Sequence, residues 1–142
     1  MEISKHDLFL VSVMVIVQNE KGEVLIGKRI RKCHLFFGYY EFPGGKLEKK
    51  DKSLKSAAIR EVKEESNLDV SNLKLVGVKY YPHSTENLYA GISVCFKTKK
   101  FTGELQNLES SNLTFMKPKE ALKLKLLPWV RHFLENYQNG GS

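Results

Sequence analysis

The chain has 142 residues and carries 23 Lys and Arg against 16 Asp and Glu, a formal charge of +7 at pH 7, with a pI of about 9.4. That length suits one domain with one core, and the positive balance favours polyanionic ligands, nucleotides and nucleic acid alike. Two cysteines, Cys33 and Cys95, are too few for a disulfide framework, and no run approaches the ~18 apolar residues of a membrane span, so the expected address is cytoplasmic, with no membrane partner.

Residues 8–17 form a nearly unbroken β-branched and apolar run, which predicts a central strand covered on both faces. The turn signal Asn19-Glu20-Lys21-Gly22 follows, and residues 23–28 predict a second strand returning as a hairpin. The basic run 28–32 is either a solvated loop or a grip on phosphate. In the aromatic stretch 33–40, Phe36 and Tyr39 are the rings assigned to stacking on a base, and the others read as core anchors. A helix is predicted from Ser53 to about Asn67, then strands over 73–80 and 88–97, a turn at 101–104 and a last strand within 113–116. Pro118 and Pro128 each open a helix, and Trp129 anchors the second of them in the core. His83 lies in a polar connection with no partner at zinc spacing, so no zinc site is assigned. Residues 1–138 make up the expected single domain and 139–142 a flexible tail.

Chemistry concentrates in Glu41-Phe42-Pro43-Gly44-Gly45-Lys46-Leu47-Glu48 and the helix after it. Residues three and four apart share one side of a helix, so Glu61 stands beside Glu64 and Glu65 and the three carboxylates can converge. Like charges so placed repel by about 0.2–0.5 kcal/mol per exposed pair unless a cation lies among them. An oxygen-only cluster suits a hard divalent cation such as Mg²⁺, with Mn²⁺ as a substitute. Gly44 and Gly45 let the backbone approach closely or take positive φ, so the loop can bring amides or carbonyls to the same metal or its phosphate ligand. An ordinary amphipathic helix would bury Leu54, Ala57, Ala58, Val62 and Ile59 and leave the glutamates in solvent. That reading leaves the Pro-Gly-Gly turn and its distance from Arg60-Glu61 to coincidence.

The segment resembles the signature of the Nudix hydrolases: a Gly, five residues, a Glu, seven residues, then Arg-Glu-apolar-x-Glu-Glu-x-Gly-apolar. Gly45 matches the first Gly, Arg60-Glu61-Val62-Lys63-Glu64-Glu65 the core, and Leu68 the final apolar position. Asn67 stands in for the last Gly and tolerates the left-handed conformation of a helix C-cap. Residues 41–48 look like the MutT-type branch, which hydrolyses nucleoside triphosphates. One extra residue separates Gly45 from Arg60, so the first acidic position falls on Asp51 counted from Gly45 and on Lys52 counted back from Arg60.

The resemblance implies an α/β fold, an alpha/beta/alpha sandwich with a mixed beta sheet. It implies catalytic roles for Glu64, Glu65 and Arg60, the last as organiser of the glutamates, and metal ligation by Gly45, Glu61, Glu64 and Glu65. Glu109, with Glu104 as fallback, is similar to a glutamate that faces the metal from the opposite wall. The implied substrate contacts are Arg29 or Arg31, Gly44, Gly45 and Lys46 toward the phosphates, and Leu127 in a segment that walls the base pocket. The expected reaction is Mg²⁺-dependent hydrolysis of a nucleoside or deoxynucleoside triphosphate to the monophosphate and pyrophosphate. An RNA 5′ end, a nucleotide sugar or a dinucleotide is the alternative substrate, and a catalytically weak nucleotide-binding regulator is the alternative class. Monomer and homodimer both remain open.

Overall fold

The computed structural model describes residues 8–30, 37–82, 90–108 and 112–140. In chain order these form β1 (Phe9–Val17), β2 (Val24–Lys28), β3 (Tyr40–Glu41), β4 (Gly44–Lys46), α1 (Leu54–Ser66), β5 (Asp69–Ser71) and β6 (Lys74–Tyr81). β7 (Ala90–Thr98), β8 (Lys100–Thr102), β9 (Thr114–Met116), α2 (Pro118–Ala121) and α3 (Pro128–Gly140) complete the order. α3 thus runs two residues past the boundary drawn at 138 from the sequence.

β1 is the axis of a mixed four-stranded sheet ordered β4-β1-β7-β6. It runs parallel to β7 in unbroken register from Phe9↔Ala90 to Val17↔Thr98, and antiparallel to β4. Residues 13–17 are all buried, as the apolar run predicts, while Leu8, Phe9 and Leu10 are exposed. Side chains alternate across a strand, so Val13, Val15 and Val17 enter one core with Ala57, Ala58 and Val62 of α1. Met14 and Ile16 enter the other with Val130, Phe133 and Leu134 of α3. Two helices on opposite faces of one mixed sheet make an alpha/beta/alpha sandwich.

The hairpin predicted between β1 and β2 does not form. Its turn is built as the sequence suggests, with Asn19 Oδ1 accepting from the amides of Lys21 at 3.1 Å and Glu23 at 2.9 Å. After one bridge, Gln18↔Val24, the chain diverges, and β2 pairs instead with β3 and β9 in a second sheet. Both hydrogen-bonding edges of β1 are taken by β4 and β7, which leaves β2 none to join. β2 then bridges the two cores: Leu25 packs on the α1 side, Val24 and Ile26 on the α3 side.

α1 has the limits its caps dictate. Ser53 Oγ accepts from the Ser56 amide at 3.0 Å while Ser56 Oγ accepts from the Ser53 amide at 2.9 Å, a reciprocal cap of about 1 kcal/mol. Asn67 closes the helix in the left-handed region at φ 67° and donates its amide to Lys63 O at 3.0 Å. Leu54 and Ile59, expected on the buried side, are exposed.

Candidate active site

The site begins with two glycines used for close approach rather than for positive φ, since the left-handed glycines among the described residues are Gly22, Gly38 and Gly103. β4 lies against β1 with Gly44 opposite Met14 and Gly45 opposite Val13. A Cβ on Gly44 would come within 2.1 Å of the Val13 carbonyl oxygen, so only glycine lets the strands meet there. A Cβ on Gly45 would come within 2.4 Å of the Glu61 carboxyl carbon. The first glycine admits β1 and the second admits the carboxylate of α1.

Arg60 binds the acidic groups together. Its Nε and Nη2 each donate at 2.8 Å to the two oxygens of Asp51, and Nη1 donates to Glu61 at 2.9 Å and to both oxygens of Glu64 at 3.3 Å. Nη2 also reaches the Lys46 carbonyl at 3.3 Å. A planar guanidinium with a bidentate partner holds one geometry. Glu65 is held separately, accepting from the Gly44 amide at 3.2 Å. Glu61 is 8% exposed, whereas the Glu64 side chain is 39% exposed, so Glu64 faces solvent and Glu61 faces the strand.

Of Asp51 and Lys52, the turn before the helix brings Asp51 to Arg60. The Asp51 amide donates to Glu48 O at 3.0 Å, and the Glu48 amide donates to Asp51 Oδ2 at 2.8 Å. That turn presents Asp51 to Arg60, while Lys52 is exposed. The hydrogen bond from Arg60 is the main reason the Asp51 carboxyl drops from 3.8 to about 2. The same bond holds the Arg60 guanidinium above its ordinary value.

The three glutamates are gathered on one side of α1, but the convergence predicted from spacing alone is not realised. Each is turned toward a protein donor, and among the described residues no group of three or more His, Cys, Asp or Glu side chains is arranged to hold a metal. In kind the residues do fit a hard cation: the donors are all oxygen, and Gly45 keeps clear the space beside Glu61 that a Cβ would fill.

Other predicted contacts divide. Arg29 extends from β2 and donates through Nε to Glu41 at 2.5 Å, a pair about 30% exposed on each side. The Tyr39 ring carries the Lys125 ammonium 4.4 Å from its centroid and packs at the margin of the α3 core. Leu127, placed by the sequence in the wall of the base pocket, is instead fully buried, and its amide donates to Tyr40 O at 3.1 Å. Trp129, read as a core anchor, is half-buried and stacks on Tyr81 with centroids 5.0 Å apart. Lys46 is exposed. Glu104 is exposed at the end of α1, where its carbonyl accepts from Asn67 Nδ2 at 3.2 Å. Arg31, Phe36, His83 and Glu109 lie outside the described residues. The pairing of Glu41 with Arg29 and the clasp of Asp51 on Arg60 escaped sequence reasoning; an acid just ahead of a helix N-terminus, favoured by the helix dipole, was the available signal for the second.

The family described as NUDIX domain matches residues 8–137. The fold is similar to the solution structure of the E. coli ORF135 protein, at 26% identity over 92% of this chain and 89% of that one, with a TM-score of 0.76. It is similar to the MutT protein from Methanosarcina mazei Go1, at 26% identity over 94% of this chain and 96% of that one, with a TM-score of 0.77. The NUDIX domain of Shewanella oneidensis NrtR, solved with ADP ribose, shares the fold at 17% identity over 95% and 90% of the two chains, with a TM-score of 0.81. Comparison with curated proteins finds no match. No helix among the described residues is long and apolar enough to cross a membrane. Because the family match spans both helical layers and the glycine-glutamate site between them, the chain belongs to the NUDIX family.

Proposed function

We propose that the protein hydrolyses nucleoside or deoxynucleoside triphosphates to the monophosphate and pyrophosphate in the presence of Mg²⁺. Membership of the family carries the coarser statement, Nudix-type phosphohydrolase activity on nucleotide-related substrates. The observation that carries the finer reading is the Arg60 clasp, which holds Glu61 and Glu64 beside a strand whose Gly44 amide also holds Glu65. The likeness to the Methanosarcina MutT protein supports the same branch.

Glu61, Glu64, Glu65 and the Gly45 carbonyl are the groups that would hold the metal. Mg²⁺ bound there would offset phosphate charge and lower the pKa of an attacking water. Arg60 keeps Glu61 and Glu64 aimed through the hydrogen bonds that its Nη1 donates to each. Glu64, more exposed than the other carboxylates that Arg60 hydrogen-bonds, and Glu65 are the groups that would take a proton from water. Glu109, outside the described residues, is a third by its likeness to the glutamate of the opposite wall. Arg29, already aimed by Glu41, with the backbone of Gly44 and Gly45 and the charge of Lys46, would receive the phosphate chain. Tyr39 offers a ring face to the base.

A panel of canonical, oxidised and methylated nucleotides, nucleotide sugars, dinucleotides and triphosphorylated RNA, with products identified, tests this reading. Monophosphate and pyrophosphate from a triphosphate are expected. Release of neither phosphate nor pyrophosphate from any member would end the proposal. Turnover confined to the RNA would move it to the 5′-end reading that the charge of +7 favours.

A further inference from the structure

On the α3 side of the sheet, a cavity of about 320 Å³ is lined by Asn72, Lys74, Lys97, Thr98, Lys99 and Tyr137. It shares no residue with the glycine-glutamate site, and none of its lining residues is acidic. Lys74 of β6 stands directly opposite Lys97 of β7 in the antiparallel register. Like charges in that relation destabilise a sheet unless something offsets them. Lys99 adds a third ammonium two residues along the chain from Lys97, and Lys74 and Lys99 make no ion pair with any described residue. The Lys97 ammonium lies 5.6 Å from the centroid of the Tyr137 ring. Tyr137 donates its hydroxyl to Gln18 Oε1, which fixes the ring as the wall of the cavity.

Two simpler roles account for part of this. Lysine on an edge strand discourages pairing with other chains, which explains Lys74 on β6. A cation near a helix C-terminus is favourable, which explains one ammonium near the end of α3. Neither explains a lysine on the inner strand β7 opposed to another lysine, with a third beside the same hollow. Rotatable ammonium groups around a concave, acid-free surface are matched to phosphate oxygens.

We infer that this cavity binds a chain of phosphate groups, as a second anion site separate from the carboxylates of α1. The phosphates belong either to a free polyphosphate or to the backbone of single-stranded RNA. The inference does not rest on the hydrolytic reading and stands or falls apart from it.

The test follows amide resonances of the full chain, with EDTA present, during titration with inorganic triphosphate and separately with a short RNA that lacks a 5′ phosphate. Asn72, Lys74 and residues 97–99 should shift in at least one titration. A response to triphosphate alone assigns the free ligand, and a response to RNA assigns the polynucleotide. With three phosphates neutralised, RNA affinity should fall roughly 20-fold between about 50 and about 200 mM salt. The paired substitution Lys74→Gln, Lys99→Gln should lower that salt slope by about 1.4 and abolish the triphosphate shifts, with nucleotide turnover unchanged. Shifts absent from these residues in both titrations, or binding unaltered by the paired substitution, would overturn the inference.

Discussion

α1 and α3 are each 13 residues long and cover opposite faces of the same sheet, yet they bury different chemistry. α3 contributes Val130, Phe133 and Leu134, all fully buried and apolar. α1 contributes two alanines and a valine, but also Glu61, the one charged residue that is buried among those described. A buried carboxylate is costly unless it is paired and hydrogen-bonded, and here Arg60 Nη1 donates to it at 2.9 Å. The difference separates a helix that holds the fold from one that sacrifices apolar burial to place charge.

Substitutions on the two sides should therefore separate stability from turnover. Phe133→Ala should have the largest effect on the fold, lowering stability by about 3–5 kcal/mol in a denaturant titration while the folded fraction keeps its kcat. A loss of kcat in the folded fraction would break the division between the helices. The neighbouring glycines sharpen it within a single strand. Gly44→Ala forces a Cβ onto the Val13 backbone, and overpacking of that kind should cost about 1–3 kcal/mol. Gly45→Ala meets first the end of the Glu61 side chain, so stability should change by less than about 1 kcal/mol while displacement of the carboxylate lowers kcat about 100-fold. Equal melting losses in the two variants would show that both glycines serve packing alone.

A smaller effect is set by pH. In the fold the Asp51 carboxyl drops from 3.8 to about 2 through the Arg60 hydrogen bond. A lowered carboxylate contributes stability that is fully present above the unfolded value and is lost as pH falls through the folded one. The melting temperatures of wild type and Asp51→Asn should differ at neutral pH and draw together between about pH 4 and about pH 2. A gap that stays constant over that range would contradict the clasp. The smallest effect is assigned to the neighbour: Lys52→Ala should move stability by no more than about 0.5 kcal/mol and leave turnover unchanged.

How far the sequence could be read depended on how local each determinant is. The limits of α1 follow from Ser53 and Asn67, whose caps act within one turn, so its span is legible residue by residue. The fate of β2 depends on β4 and β7 having taken both edges of β1, and β7 lies more than sixty residues further on; a turn signal at 19–22 cannot report that competition. Helical spacing correctly placed Glu61, Glu64 and Glu65 together, but the direction of each carboxylate is set by Arg60 and by an amide on β4. Counting along the chain left Asp51 and Lys52 level, and what separates them is the pair of hydrogen bonds from Arg60 to Asp51 nine residues away, which counting cannot report. Leu127 looked like a pocket wall by position, whereas its side chain belongs to the α3 core.

The most direct test of the account is the turnover of Glu64→Gln and Glu65→Gln with Mg²⁺ and the best nucleotide of the panel, each variant first shown to be folded by its melting curve. Both substitutions remove a negative charge from the cluster with little change of shape, and kcat should fall by roughly 10³-fold with the fold intact. Turnover at the wild-type rate in both variants would contradict the assignment of these carboxylates to the reaction.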